Sequence, residues 1–175
     1  MNWLERIEKK SHREKKVFFQ ALALGLILLI IDQITKWYIV KNFNLFESIP
    51  VIDGWFNITS VRNLGAAWSI LSGHVWLLLV FGLLAGIGII IFFRKLAEGC
   101  VERYFALMLI LSGIFGNSFD RAFHGEVVDF IHVHYYEIWH YPVFNVADMA
   151  ICTGVGIYLL SGFLRKNPEK EAEKC

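Results

Sequence analysis

The sequence predicts an all-α polytopic membrane protein with four transmembrane helices and a small β-rich extracytoplasmic cradle. Hydrophobic residues make up 56% of the 175 residues, above the roughly 45–50% that is usual in soluble domains. They are concentrated in four blocks, each close to the ~20 residues that cross a bilayer. Strand and turn signals lie in the polar segments between blocks. The predicted spans are residues 17–40, 75–93, 104–122 and 145–164.

The first block follows a polar, basic segment, residues 1–16. A basic start before an apolar run is typical of a signal peptide, but this run is too long for the ~7–15 residues of such a region, and no small-residue cleavage site ends it. We therefore expect a retained helix. Asp32 and Lys36 are four residues apart near its far end and share a helix face. They are either an interfacial pair, with Lys36 reaching outward, or a fixed polar group that supports a site.

The segment after this helix predicts a β-hairpin. Residues 51–62 contain the turn signal Asp53-Gly54, flanked by β-branched and aromatic residues. Asn63 and Gly65 follow in the sequence NLGAAWSI. Its small residues either allow close approach of another chain or begin a tight helix. The second span carries no polar chemistry, and its glycines favour close helix packing.

The distribution of positive charge predicts the orientation. Of the 17 Lys and Arg residues, 13 lie before the first span, between the second and third, or after the fourth. By the positive-inside rule both termini are cytoplasmic. This makes residues 1–16 a cytoplasmic basic terminus, residues 17–165 the membrane domain and residues 166–175 a charged cytoplasmic tail. The net charge of +1 gives no indication of nucleic-acid binding.

The segment from Gly116 to Asp148 carries the candidate chemistry, because a charge beside lipid is costly and by default functional. Asn117, Asp120 and Arg121 share one face at the end of the third helix, where they form either a structural network or part of a site. Asp129 lies in the strand-like run VVDFI. Asp148 is in the first turn of the fourth helix, which Asn145 is placed to cap.

Two carboxylates at one membrane depth suit aspartic peptide hydrolysis. Held together, they share a proton, so that one acts as general base and the other as acid. There is no G-x-S-x-G pattern for a serine nucleophile and no HExxH metal motif. The His132-Val133-His134 pair and His140 are a weak metal signal. We interpret them as exposed or membrane-interface residues, so no metal is expected.

Five motifs together resemble the bacterial lipoprotein signal peptidases (signal peptidase II): DQITK, NLGAAWSI, GNSFDR, VVDF and FNVAD. The resemblance implies an aspartic endopeptidase of the inner membrane, with its active site toward the outer face. Its substrate would be a prolipoprotein, cut before a diacylglyceryl-modified cysteine. The family's catalytic aspartates correspond to Asp129 and Asp148. The other matching positions, assigned to substrate binding or support of the aspartates, are Asp32, Lys36, Asn63, Gly65, Gly116, Asn117, Asp120, Arg121 and Asn145.

The same resemblance implies no cofactor and inhibition by the cyclic peptide globomycin. We expect a monomer surrounded by membrane lipids. A small proton- or ion-coupled transporter that uses the same carboxylates is the alternative. A transporter should carry charges near the bilayer midplane that are reached from both sides, whereas here they cluster at one face. A purely structural membrane subunit would leave these polar residues unexplained.

Overall fold

The computed structural model describes residues 3–66 and 70–165. The predicted charged tail, residues 166–175, and the centre of the NLGAAWSI motif, residues 67–69, lie outside the described residues. The described chain has four helices and four strands, in the order α1 (Trp3–Asn42), β1 (Ser48–Ile52), β2 (Phe56–Asn63), α2 (Val75–Ala97), α3 (Val101–His124), β3 (Val127–Tyr135), β4 (Trp139–His140) and α4 (Val146–Leu164).

Three of the helices are long and apolar enough to cross a membrane: His12–Asn42 within α1, α2 and α4. α1 begins at Trp3, within the segment predicted to be a basic terminus, because Lys, Arg and Glu favour helix as strongly as most apolar residues. α3 does not belong to this group, so a fourth transmembrane helix is not confirmed. Its sequence is less apolar because it carries buried polar residues, among them Arg103, Asn117 and Asp120.

α3 is the central helix of the bundle, since it packs against α1, α2 and α4. At one end it joins α1 and α2 in an apolar core that includes Ala21, Phe93 and Leu107. Small residues allow the close approach of α4: a methyl group added at Gly113 or Gly154 would collide with the facing backbone. The far end of α3 is thereby fixed next to the start of α4, where the polar residues lie.

The small antiparallel sheet confirms the predicted β-rich element. Its strand order is β1-β2-β3-β4, and the predicted hairpin is β1–β2, with Gly54 in the turn at φ 73°. β2 also pairs with β3, which places Val61 opposite Asp129. A second apolar cluster attaches the sheet to α1 through Ile39, Val128 and Phe130. Asp129 therefore lies between two core residues of β3.

Candidate active site

Asp129 and Asp148 lie on different elements, and Asn145 joins them. Asp129, on β3, is 2% exposed. The Asn145 side-chain amide donates to Asp129 Oδ1 at 2.7 Å, while the Asn145 backbone N–H donates to Asp148 Oδ2 at 3.1 Å. The Asn145 side-chain oxygen accepts from the Asp148 backbone N–H at 2.9 Å. This reciprocal pattern is a capping box, so the expected cap is confirmed and it also fixes both carboxylates.

Asn63 holds the other oxygen of Asp129. From the end of β2, its side-chain amide donates to Asp129 Oδ2 at 2.8 Å. Its own side-chain oxygen accepts from the Gly65 backbone N–H at 2.8 Å, which fixes the amide with its nitrogen toward Asp129. Each oxygen of the Asp129 carboxyl group therefore accepts a hydrogen bond from a neutral amide.

The surroundings of Asp129 favour its protonated form. Burial raises its pKa most, the negative charge of Asp148 adds to this effect, and the result is a pKa of about 7. The hydrogen bonds from Asn63 and Asn145 oppose the rise, as does the more weakly acting charge of Lys36. The first two effects disfavour an additional charge at this position. Near neutral pH, Asp129 is thus poised between its acid and base forms.

Lys36 is the centre of a second, buried cluster beside the two aspartates. Its Nζ lies 2.8 Å from Asp32 and 2.9 Å from Asp120, and it donates to Asn117 Oδ1 at 2.9 Å. Lys36 is 3% exposed. Lys36 therefore does not reach outward to the membrane surface, and the interpretation as a fixed polar group holds. The Asn117 amide donates to Asp148 Oδ1 at 2.7 Å and links this cluster to the aspartates.

Two backbone positions near this cluster accommodate the Asp32 carboxylate. One of its carboxylate oxygens accepts from the Ala147 backbone N–H at 2.8 Å, in the first turn of α4. Gly116 makes room for the other, since a Cβ on Gly116 would lie 2.6 Å from Asp32 Oδ2. Gln33 donates to Asp32, Asp120 and the Gly116 carbonyl. Gln33 lies in the DQITK motif but was not among the predicted site residues, because an uncharged amide near a helix end gives no signal of its own.

Arg121 serves a different part of the structure from its neighbours Asn117 and Asp120. Its guanidinium donates to the Gly65 carbonyl at 3.0 Å and so ties the loop after β2 to α3. Asp120 instead faces Lys36, and it accepts from the Val128 backbone N–H at 3.4 Å. Every residue that the sequence singled out for the site thus lies in one connected network of hydrogen bonds, ion pairs and close contacts.

The three histidines form a cluster on the outer part of β3 and β4. The ring centroids of His132, His134 and His140 lie 5.0–5.5 Å apart, and His132 shares a hydrogen bond of 3.2 Å with His140. His134 is buried, so the expectation of an exposed side chain is wrong for this histidine. Across residues 3–66 and 70–165, no group of three or more His, Cys, Asp or Glu side chains is arranged to hold a metal ion.

Comparison with known proteins gives a consistent result over most of the chain. A family profile described as signal peptidase (SPase) II matches residues 24–164. A lipoprotein signal peptidase of Bacillus pumilus (strain SAFR-032) is 43% identical over 149 residues, which are 85% of this chain and 96% of that protein. The lipoprotein signal peptidase of Bacillus subtilis (strain 168) is 41% identical over 150 residues, 86% of this chain and 97% of that protein.

Solved structures agree with the sequence relatives. A bacterial membrane enzyme solved by the in meso method at 2.3 Å resolution superposes with a TM-score of 0.79 at 33% identity, covering 87% of this chain and 92% of that one. A second, solved at 1.9 Å, gives a TM-score of 0.73 at 35% identity, covering 85% and 94%. Together with the apolar helices, these matches identify a multi-pass membrane peptidase and give the transporter alternative no support. The chain belongs to the signal peptidase II family.

Proposed function

We propose that this protein is an aspartic endopeptidase that removes the signal peptide from prolipoproteins, cutting before a diacylglyceryl-modified cysteine. Asp129 and Asp148 are its catalytic residues. The observation that carries the proposal is the pair itself: Asn145 bridges the two carboxyl groups, and the pKa of Asp129 is about 7. Two neighbouring carboxyl groups that hold one proton between them are what aspartic peptide hydrolysis requires.

The two aspartates have different roles in this mechanism. Asp129 is the more buried and carries the proton. Asp148 accepts hydrogen bonds from Asn117 and from the Asn145 backbone, and it lies in the first turn of α4, where the helix dipole favours negative charge. Asp148 is therefore the general base, and Asp129 is the general acid.

The reaction follows from these roles. Asp148 takes a proton from a water molecule, whose oxygen attacks the carbonyl carbon of the bond before the modified cysteine. Asp129 donates its proton to the carbonyl oxygen, which gives a neutral tetrahedral diol. Asp148 then returns its proton to the cysteine nitrogen, the C–N bond breaks, and Asp129 recovers a proton from the diol as the new carboxyl group forms.

The remaining site residues position this pair or the substrate. Asn63 and Asn145 orient Asp129, and Asn117 orients Asp148. Asp32, Lys36 and Asp120 hold α1, α3 and the start of α4 in one arrangement. Gly116 allows that approach, while Arg121 and Gly65 fix the loop beside the pair.

In the membrane, we place α3 as the fourth span. It is enclosed by the other three helices, so its polar residues face protein rather than lipid, and a lower hydropathy is compatible with a transmembrane position. Four spans put both termini on one side, and the 13 of 17 basic residues assigned to that side make it cytoplasmic. The aspartates then lie toward the outer face of the inner membrane, where the sheet forms a cradle for the peptide.

The proposed enzyme works as a monomer without a cofactor, contacts membrane lipids and is inhibited by globomycin. A cleavage assay in detergent tests the proposal, with a diacylglyceryl-modified prolipoprotein as substrate and its unmodified form as the comparison. We expect the parent to cut only the modified form and globomycin to block it. Asp129→Asn and Asp148→Asn should each lose activity by about 10³-fold or more, the scale seen when a catalytic group is removed.

The matched control is Asp53→Asn, a replacement at an exposed turn where Asn-Gly is as favourable as Asp-Gly. It should retain parent activity. Near-parent cleavage by either dyad variant, with normal folding, would contradict the assignment of that aspartate. Failure of the folded parent to cut a verified modified substrate would contradict the proposed specificity.

A further inference from the structure

A large groove lies between α1 and α2 at the end of the bundle opposite to the aspartates, with α3 as its floor. Its volume is about 860 Å³. Apolar side chains line most of it, and Phe19, Leu26 and Ile90 are each more than half exposed along its walls. Its charged residues and Tyr104 are collected at one end, where they are Glu14, Lys15, Arg94 and Tyr104, and Ser112 is the polar residue toward the other end.

The groove has the length of one membrane leaflet. On α1 it extends from Glu14 to Leu29, which is about 22 Å at 1.5 Å per residue. Half of a bilayer, including its headgroup region, is about 20–22 Å. The polar end therefore lies at headgroup level and the apolar end near the midplane. Leu29 is three residues before Asp32, so the groove ends one helical turn short of the buried charge cluster.

The charges at the mouth favour an anionic group. Lys15 and Arg94 are exposed on two different helices, and the acidic residue among the described residues that line the groove is Glu14, which is half-buried. Arg13, Lys16 and Lys95 add positive charge nearby. Basic pockets between transmembrane helices are suited to anionic lipid headgroups.

We propose that this groove is a binding site for one glycerophospholipid with an anionic headgroup. An acyl chain lies along the apolar wall, and Lys15 and Arg94 contact the phosphate. The inference depends on placement of α1 and α2 in a membrane and not on the peptidase chemistry. It differs from general solvation by lipid because it requires selectivity for headgroup charge at two named residues.

Binding can be measured by native mass spectrometry on the full chain in detergent, mixed with equal amounts of phosphatidylglycerol and phosphatidylcholine of the same acyl chains. We expect one retained phosphatidylglycerol and at least about five-fold less phosphatidylcholine, because the quaternary ammonium of choline offsets the phosphate charge and would itself lie close to Lys15 and Arg94. Lys15→Ala combined with Arg94→Ala should lower the retained phosphatidylglycerol by about the same factor. Arg13→Ala combined with Lys16→Ala removes equal charge outside the groove and should leave binding within about two-fold.

A second variant tests the apolar part of the site. Leu26→Trp adds bulk to a half-exposed wall residue, so it should reduce retention of phosphatidylglycerol while leaving the headgroup contacts in place. Equal retention of the two lipids by the parent would overturn the proposal. Equal loss in both charge-removing pairs would do the same, because it would indicate a diffuse charge effect. A doubled mass without lipid in the parent that is absent from Leu26→Trp would overturn the proposal and assign the groove to a second copy of the chain.

Discussion

Replacing Asp129 with asparagine should remove the pH dependence of stability that this residue imposes on the fold. The pKa of Asp129 is about 7 in the folded protein, against an ordinary value of 3.8. Between these values the folded state binds more protons than the unfolded state, so the free energy of unfolding falls as pH rises. The contribution is fully present below about pH 4 and lost by about pH 7.

The size of the effect follows from the two values. A difference of about three pH units at about 1.4 kcal/mol per unit is about 4 kcal/mol. Asparagine does not ionise and therefore avoids this loss, but its side chain has one oxygen instead of two to accept from Asn63 and Asn145. Neither of those amides can rotate to offer its oxygen instead, because each oxygen already accepts from a backbone N–H, that of Gly65 or that of Asp148. One lost hydrogen bond costs about 1–3 kcal/mol. Asp129→Asn should therefore be less stable than the parent at pH 4.5 and about 1–3 kcal/mol more stable at pH 8.

Thermal unfolding in detergent between pH 4.5 and 8.5 measures the difference, with Asp53→Asn as a control that should follow the parent throughout. Because about 1 kcal/mol shifts Tm by about 2–4 °C in a chain of this size, the crossing is measurable. If the Tm of Asp129→Asn runs parallel to that of the parent across this range, the carboxyl group is not held protonated in the fold, and the division of roles between the two aspartates is wrong.

Three further changes test the surrounding network. Lys36→Met removes the cation shared by two buried carboxylates and should destabilise the fold by about 3–5 kcal/mol; an unchanged Tm would contradict the buried ion cluster. Asn63→Ala removes a hydrogen bond that lowers the pKa of Asp129, so the alkaline limb of the pH–activity profile should move to higher pH, whereas a purely structural role would lower activity without moving it. Gly116→Ala should destabilise the fold by about 1–3 kcal/mol through overpacking. The control Gly88→Ala, with nothing within 4 Å of the added carbon, should stabilise it by up to about 1 kcal/mol. Equal Tm values for the two variants would refute the close approach of Gly116 to Asp32.

The elements that the sequence predicted well are those specified by local patterns. Apolar blocks marked the helices, and Asp53-Gly54 between β-branched residues marked the first hairpin. Whether α3 crosses the membrane could not be decided from its composition in the same way. Its hydropathy is lowered by residues such as Arg103 and Asn117, whose partners, Ser161 and Lys36, lie on other helices. Local composition carries no information about which neighbours will enclose a helix.

For the candidate site, too, residue spacing predicted the local arrangement but not the contacts between distant segments. Spacing predicted that Asp32 and Lys36 share a face and that Asn145 caps α4. It could not choose between an exposed and a buried Lys36, because that depends on α3 and the start of α4 closing over α1. The residues assigned from the family motifs include each side chain of the network described above except that of Gln33, which lies in DQITK but was not assigned to the site. Pairwise contacts, including the bridge from Asn145 to both aspartates, required the folded chain.

The distribution of positive charge explains why one aspartate keeps a proton. Four carboxylates lie close together, and the one buried ammonium group among the described residues, that of Lys36, contacts Asp32 and Asp120. Asp129 receives two neutral amide donors instead, so burial and the charge of Asp148 outweigh its hydrogen bonds and raise its pKa. A cation placed against Asp129 would favour two charged carboxylates and remove the acid. By engaging Lys36 with Asp32 and Asp120, the fold holds α1, α3 and α4 together and leaves the proton on Asp129, where the proposed hydrolysis requires it.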